Sequence, residues 1–536
     1  MGQATTTATD SPREADPGRA GRVARSTLIV MGGTVASMVV GLIRQRIIAI
    51  QFGTSNEFDA FTAANSIPEL LFTMMAGGAL AFAFIPVYTE LLQKDDRPGS
   101  DRLLSQVINL IFILVAAASL LVALAAPTLV RAPWGIGPNF PFEVQALTIQ
   151  LMRVLLLSTI IFSVSSIVTG ALHARQHFLL PAITPVMYSL GIILGTIFLA
   201  PRIGVFGLAW GAVLGAGLHL LVQIPGLIYY RVRWYPTLNF NNPALRRVAI
   251  LMAPRIVDLL MARASIDWIN ANLGSGLGEG RVSALRYAYQ LMNMPWTLIG
   301  TAIGIAVFPT MATLAANRDV DAQRRALSGS LRAILTLTLP AAAGLLVLGR
   351  PIIQLLYEGG EFTADSTMLV YYALQFYAIT LISQSMLEVV VRAFAAQQDT
   401  LTPLIVSFFT TLLNVGLAIW LAQPQRLAHG GLALANGIAV GVESLVGLTI
   451  LHIRWRGVDA RRILLDTGKA AVSALVMMAA VVGFLRVLEP GALVAIAGGG
   501  VIGVGVYFAL ALLLGIEEVR TIPAAVLGRF TARRAA

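Results

Sequence analysis

The sequence predicts an all-α integral membrane protein of about fourteen transmembrane helices, two six-helix lobes followed by two C-terminal helices. Composition, the recurrence of apolar runs, and the placement of Lys and Arg between those runs carry this reading. Of 536 residues, 57% are hydrophobic and 12% charged, with a mean hydropathy of +0.77. An average soluble domain carries about 25% charged residues. A soluble fold could not hide so much apolar surface, so the bilayer is the expected solvent.

Runs long enough to span recur near 27-50, 59-90, 104-130, 146-172, 182-200, 204-230 and 247-272. They continue at 283-311, 330-349, 368-393, 402-422, 430-453, 470-488 and 492-515. With the N-terminus inside, roughly 26 Lys and Arg fall in cytoplasmic segments and about 5 in external ones, as the positive-inside rule requires. Both termini are then cytoplasmic. The net charge of +11 follows from this loop pattern and implies no nucleic-acid partner. The expected units are a disordered cytoplasmic tail at 1-25, an N-lobe at 26-235 and a C-lobe at 236-465. Helices 13 and 14 at 466-518 and a second tail at 519-536 complete them.

Residues 1-25 are polar and lack the apolar core of a cleavable signal peptide. Arg13, Arg19, Arg22 and Arg25 would hold this end inside. The external connection around 350-366, with Tyr357-Glu358-Gly359-Gly360-Glu361-Phe362, is expected along the membrane surface. A short internal repeat supports two lobes. Arg175-Gln176-His177-Phe178-Leu179-Leu180-Pro181 has its counterpart in Gln397-Gln398-Asp399-Thr400-Leu401-Thr402-Pro403, 222 positions on (397 − 175). Gly207-Leu208-Ala209 matches Gly431-Leu432-Ala433 at an offset of 224 (431 − 207). Six helices is an even number, so the halves keep one orientation and are related by an axis along the membrane normal, with a site between them.

Ionisable groups inside a membrane are costly and usually face a cavity or one another. Here they concentrate in spans 1, 2, 7 and 8. Span 1 has Thr34, Ser37, Gly41 and Arg44; span 2 has Asp59, Thr62, Ser66, Glu69 and Thr73. Span 8 has Ser283, Arg286, Gln290, Asn293 and Thr297. Alternating steps of three and four put each set on one helix face. Span 7 adds Arg255, Asp258, Arg263, Asp267 and Asn270, the last three of the set, from Arg263 on, sharing a face. Four aligned polar stripes point to a water-filled central cavity, with Asp267 and Glu69 as partners for Arg286 at rest. Helical glue between packed spans is the structural alternative. Glu388 and Arg392 are spaced for a local ion pair. Spans 13 and 14 are almost purely apolar; they present a lipid-facing groove or simply face lipid.

Several chemistries are excluded. There is no cysteine, so disulfides and thiolate sites are absent. His173, His177, His219, His429 and His452 are scattered, without metal-ligand spacing. No GxxxxGK[ST] loop or GxSxG elbow occurs, so no ATPase or hydrolase machinery is expected. No cofactor is expected; transport would draw on an ion gradient, the membrane potential or the substrate's own gradient.

Gly41-Leu42-Ile43-Arg44, Phe52-Gly53, Asp59-Ala60-Phe61, Ile67-Pro68, Gly78-Ala79 and Ala83-Phe84-Ile85-Pro86-Val87 resemble the MurJ (MviN) family of lipid II flippases. Val282-Ser283, Leu291-Met292, Pro295, Phe308-Pro309 and Gly359-Gly360-Glu361-Phe362 extend the resemblance over most of the chain. The family belongs to a superfamily that also holds polysaccharide flippases and multidrug antiporters. The resemblance implies a V-shaped cationic cavity from spans 1, 2, 7 and 8, and a groove for a prenyl tail at spans 13 and 14. It also implies alternating access coupled to the membrane potential or a monovalent ion. The implied substrate is undecaprenyl-pyrophosphoryl disaccharide-pentapeptide, used for peptidoglycan synthesis. Membrane lipids and cell-wall synthesis proteins are the other implied partners. The expected cavity residues are Ser37, Arg44, Asp59, Glu69, Arg255, Arg263, Asp267, Ser283, Arg286, Gln290 and Asn293.

Departures from the family pattern are local. Met38 and Gln45 stand where the family usually has Arg and Asp, and Phe72-Thr73 where it has an Arg pair. Tyr289-Gln290 replaces Asp-Arg and Asn293 replaces Glu. The remaining arginines are offset by Asp59, Glu69, Asp258 and Asp267, giving a near-neutral cavity. Three readings follow: a flippase for lipid II or a related polyprenyl-linked glycan, an ion-coupled exporter of another amphiphile, and a non-transporting scaffold paralogue.

Overall fold

The computed structural model describes residues 17-76, 79-239, 242-248, 250 and 267-519. The N-lobe contains α1 (Pro17–Phe52), α2 (Asn56–Ala76), α3 (Ala79–Gln93), α4 (Arg97–Arg131) and α5 (Phe142–Ala174). Its last helices are α6 (Leu179–Ile203) and α7 (Phe206–Tyr229). A short helical stretch at 267-274 precedes α8 (Arg281–Ala316), α9 (Val320–Tyr357), α10 (Ala364–Ala396), α11 (Leu401–Leu421) and α12 (Ala428–Arg454). The chain continues with α13 (Ala460–Leu488) and α14 (Ala492–Leu513).

Twelve helices among the described residues are long and apolar enough to cross a bilayer. The second expected span is not one of them. Of its 59-90 stretch, α2 is described up to Ala76 and α3 from Ala79, and positions 77-78 lie outside the described residues. The stretch also exceeds the roughly 20 residues that one crossing needs. The seventh expected span, 247-272, lies mainly outside the described residues, and so do Arg255, Asp258 and Arg263.

Backbone detail extends the internal repeat well beyond the two short matches. α4 and α9 start alike. Asp96 caps α4 by accepting from the Gly99 amide at 2.8 Å, and Asp319 caps α9 by accepting from the Ala322 amide at 2.9 Å, 223 positions on (319 − 96). Each cap satisfies an amide that the first turn leaves without a helical partner. Left-handed residues end helices at matching places: Asp95 with Arg318, Gln176 with Gln398, and Arg231 with Arg456. Packing repeats as well. α5 lies against α4 and α7, as α10 lies against α9 and α12, and α6–α7 pairs as α11–α12 does.

Lipid offers no hydrophobic drive between helices, so contact depends on close approach. α6 and α7 achieve it through Gly191 and Gly195 against Gly211 and Gly215; a Cβ at Gly191 would overlap the Gly215 backbone. Pro295 lacks an amide hydrogen, and α8 widens into a π turn at Trp296–Thr301 directly after it. α13 and α14 pack on α9 and on each other. Arg332 of α9 anchors them, pairing with Asp466 at 3.1 Å and Glu518 at 3.0 Å, all three largely buried.

The connection after α7 is strapped to α4. Asp101 accepts from the Arg233 amide at 3.1 Å and Ser105 from the Tyr235 amide at 3.1 Å. Asn109 donates to the Tyr235 and Thr237 carbonyls at 2.9 and 3.1 Å. Leu245 and Val248 then pack into the core formed with Phe84, Leu103 and Val107.

Candidate substrate cavity between the lobes

A cavity of about 310 Å³ lies beside α1, α2, α5, α6 and α8. α1 contributes Arg44 and Gln45, α2 contributes Thr62, Asn65 and Glu69, and α8 contributes Arg286. Ser158, Thr159 and Phe162 of α5 and Tyr188 of α6 complete its polar and aromatic wall. Arg44 donates to Ser189 Oγ at 3.3 Å, and its guanidinium carbon lies 6.0 Å from the Tyr188 ring centroid. Its Nε is buried without a hydrogen-bond partner.

Across from it, Arg286 pairs with Glu69 at 3.3 Å, and Asn65 donates to the same carboxylate oxygen at 3.0 Å. Arg286 and Glu69 are both partly accessible, at 39% and 27% of their side-chain surface. That exposure leaves the pair open to exchange with a bound anion. Asp267, with Thr62, Ser66, Asn270 and Tyr289, lines a small recess on the other side of Arg286. Both partners expected for Arg286 therefore lie beside it.

Asp59 and Ser283 play a different part. Asp59 is fully buried, and its carboxylate accepts from the Gly280 amide at 2.7 Å and the Ser283 amide at 2.6 Å. A side chain from the N-lobe thus caps α8 of the C-lobe, placing negative charge at the positive end of the α8 dipole. Both residues were expected in the cavity; they form a latch at its end instead. Polar residues near a helix N-terminus are drawn to its unpaired amides, a need the face pattern does not register.

Further contacts close the same end. Thr54 Oγ1 and Ser366 Oγ are 2.8 Å apart, and the Asn56 amide donates to Glu279 at 3.1 Å. Arg46 donates to the Leu355 and Leu356 carbonyls. The 359-362 turn, expected along the membrane surface, is folded into this junction: the Glu361 amide donates to the Ile50 carbonyl at 2.9 Å and Phe362 is fully buried. Phe362 packs with Tyr287 and Tyr357, and Tyr287 with Phe58. Gly53 has φ +54° and no room for a Cβ beside the Glu361 carbonyl, so the crossing there needs glycine. Among the described residues, hydrogen bonds between α1–α7 and α8–α14 gather at this end, Arg286–Glu69 apart; at the other end the start of the C-lobe is tied to the N-lobe, Asn242 donating to Gln106 at 2.7 Å and Arg247 to Glu90 at 3.0 Å.

The remaining expected residues fall outside the cavity wall. Ser37 lies two turns from Arg44 along α1 and is half-exposed. Gln290 and Asn293 follow Arg286 along α8; Gln290 Oε1 and Asn293 Oδ1 are buried without partners, continuing a polar track from the cavity. The sequence reading missed the α5 and α6 wall. The run Ser158, Thr159, Ser163, Ser165, Ser166, Thr169 in span 4 was the available signal. Glu388 and Arg392 form the expected local pair.

The arrangement defines a two-lobed α-helical membrane transporter, with a central cavity closed at one end by contacts between the lobes. Solved structures share the fold. A lipid II flippase MurJ in an inward closed conformation matches with a TM-score of 0.76 and 24% identity, covering 91% of this chain and 98% of that one. An inward-facing MATE transporter of the MOP superfamily matches with a TM-score of 0.69 and 16% identity, over 78% of this chain and 94% of that one. The lipid II flippase MurJ family pattern matches residues 48–497. The lipid II flippase MurJ of Burkholderia cenocepacia is 30% identical over 442 residues, 81% of this chain and 84% of the relative. A probable lipid II flippase MurJ of Rhizobium tropici is 27% identical over 92% of this chain and 94% of its own length.

The chain belongs to the lipid II flippase MurJ family. It is accordingly a transporter and not an enzyme, a multi-pass protein of the bacterial inner membrane that serves peptidoglycan synthesis.

Proposed function

We propose that the chain flips lipid II by alternating access, with Arg44 and Arg286 receiving the pyrophosphate in the central cavity. The observation that carries this is the partly accessible Arg286–Glu69 pair lining the same cavity as Arg44. A pyrophosphate outcompetes one carboxylate for a guanidinium by charge and by the number of acceptor oxygens. Displaced from Arg286, Glu69 keeps Asn65 as a donor. With Asp59 turned to the α8 amides, the charged groups of the lining are two arginines and one glutamate, a net positive charge that favours an anionic ligand.

In this reading the latched end faces the periplasm and both termini face the cytoplasm. The cysteine-free background allows a direct test. Single cysteines at positions 240 and 457 should react with a membrane-impermeant maleimide only after the cells are opened. Modification in intact cells would overturn the orientation.

The prenyl tail has a matching surface. A cavity of about 250 Å³ between α9, α13 and α14 is lined by Pro340, Gly344, Leu348, Val481, Gly500 and Val504, almost without polar surface. Arg332 would be left buried and unpaired by removal of α13 and α14, so point changes are the cleaner test. Val504→Asn should slow transport about tenfold, since a polar group against hydrocarbon costs roughly 1–2 kcal/mol. Initial rates with lipid II in vesicles check this; an unchanged rate in well-inserted protein would remove the groove from the mechanism. Coupling to the membrane potential or a monovalent ion, and contact with cell-wall synthesis proteins, belong to the same proposal and rest on the family alone.

A further inference from the structure

A second apolar cavity, of about 400 Å³, opens on the flank of the N-lobe, sharing α5 with the central cavity but no lining residue with either surface already assigned. Ile108 and Phe112 of α4, Ile160 and Val164 of α5, and Leu220 of α7 form its floor and sides. Trp234, from the strapped connection after α7, forms its rim. The indole is fixed there because its Nε1 donates to Asn109 Oδ1 at 3.1 Å, while Asn109 also holds the Tyr235 and Thr237 carbonyls. Phe112, at 49% exposure, and Trp234, at 61%, leave the groove open to the outside of the bundle. In a membrane-spanning chain that outside is lipid.

Polar chemistry sits at one end only. Arg231 and Arg233 lie directly past the last turn of α7, and Arg102 lies two turns from Asn109 on the same face of α4. All three arginines are exposed. The nearest carboxylate on this strap, Asp101, is taken by Arg175 at 3.6 Å and by the Arg233 amide. Among the described residues none of the three has an acidic partner within ion-pair distance. An apolar groove at hydrocarbon depth, an amphipathic indole at its mouth and unpaired guanidinium groups just beyond match a phospholipid in both halves.

We infer that this groove is a binding site for an anionic glycerophospholipid, one acyl chain lying between α4, α5 and α7 and the phosphate facing Arg102, Arg231 and Arg233. A zwitterionic lipid would fit the groove and would lack the net charge that three unpaired cations select. Because Trp234 belongs to the connection between the lobes, the bound lipid also presses that connection onto α4. The site rests on the membrane-spanning fold and is independent of the transported substrate.

The test uses the full chain in phosphatidylcholine vesicles, with dibrominated acyl chains carried either by phosphatidylglycerol or by phosphatidylcholine. The Trp234 signal is the difference between the unaltered chain and Trp234→Phe. Brominated phosphatidylglycerol should quench it with an apparent association at least about threefold stronger than brominated phosphatidylcholine, as a few surface arginines acting together provide. Val164→Phe, which fills the groove, should reduce quenching by both lipids. Arg102→Gln, Arg231→Gln and Arg233→Gln combined should abolish the preference while quenching persists. Equal quenching by the two lipids would overturn the inference. So would no quenching of Trp234, or a preference that survives the triple change.

Discussion

Arg286→Ala is expected to reduce lipid II transport about tenfold to a hundredfold at normal protein levels, the loss of roughly 1.5–3 kcal/mol that a charge-assisted contact to the pyrophosphate supplies. Arg286 is the cavity cation whose present partner, Glu69 at 3.3 Å, is itself partly accessible and replaceable. Arg286→Lys should retain part of the activity, because a phosphate accepts a point cation while losing the bidentate fork. Complementation of cells depleted of their own flippase, with protein level measured alongside, reads the result. Full activity of the alanine variant would end the claim. If the variant instead fails to accumulate, and adding Glu69→Gln restores the level without restoring transport, Arg286 holds substrate and α2 alike. Restoration of both would make the pair a structural tie between α2 and α8.

The second large effect comes from the latch. Thr54→Cys combined with Ser366→Cys should form a disulfide across the two lobes, since the hydroxyls they replace are 2.8 Å apart. The chain has no other cysteine to compete, and in the orientation proposed above this end lies in an oxidising compartment. Transport should fall to background when the bond forms and return on addition of reductant. The reason is mechanical. Asp59, Arg46 and the 359-362 turn all join the lobes at this end, and a carrier that discharges there must part them. Undiminished transport by fully cross-linked protein would show that this end does not open during the cycle. Either cysteine alone should be nearly silent, because Thr54 and Ser366 then lose only one hydroxyl contact.

Both predictions rest on contacts of different origin, and the difference shows how much the sequence could reveal. Arg44, Glu69 and Arg286 were legible as cavity residues because an arginine or glutamate at membrane depth needs water or a partner. Their helix faces follow from spacing alone. Asp59 and Ser283 obeyed the same face rule and were misplaced by it. Both sit where one helix begins, and α8's unpaired amides claim the carboxylate. Tyr188 and Ser158 gave no comparable signal. A tyrosine or serine in an apolar run is affordable wherever it faces, so its role depends on which helix lies opposite.

The sequence by itself determined the membrane class, most of the spans, the two-lobe repeat and the family, because each is written in local terms: hydropathy, helix period, loop charge and short motifs. The left-handed residues at Gln176 and Gln398 show how far that goes, a repeat visible in seven residues recurring as backbone geometry. Tertiary structure alone decided which end is latched, how the Gly359–Phe362 turn is used, and that α5 and α6 wall the cavity. Those outcomes depend on the relative placement of groups hundreds of residues apart. One chain position constrains them only through the packing of all the helices between.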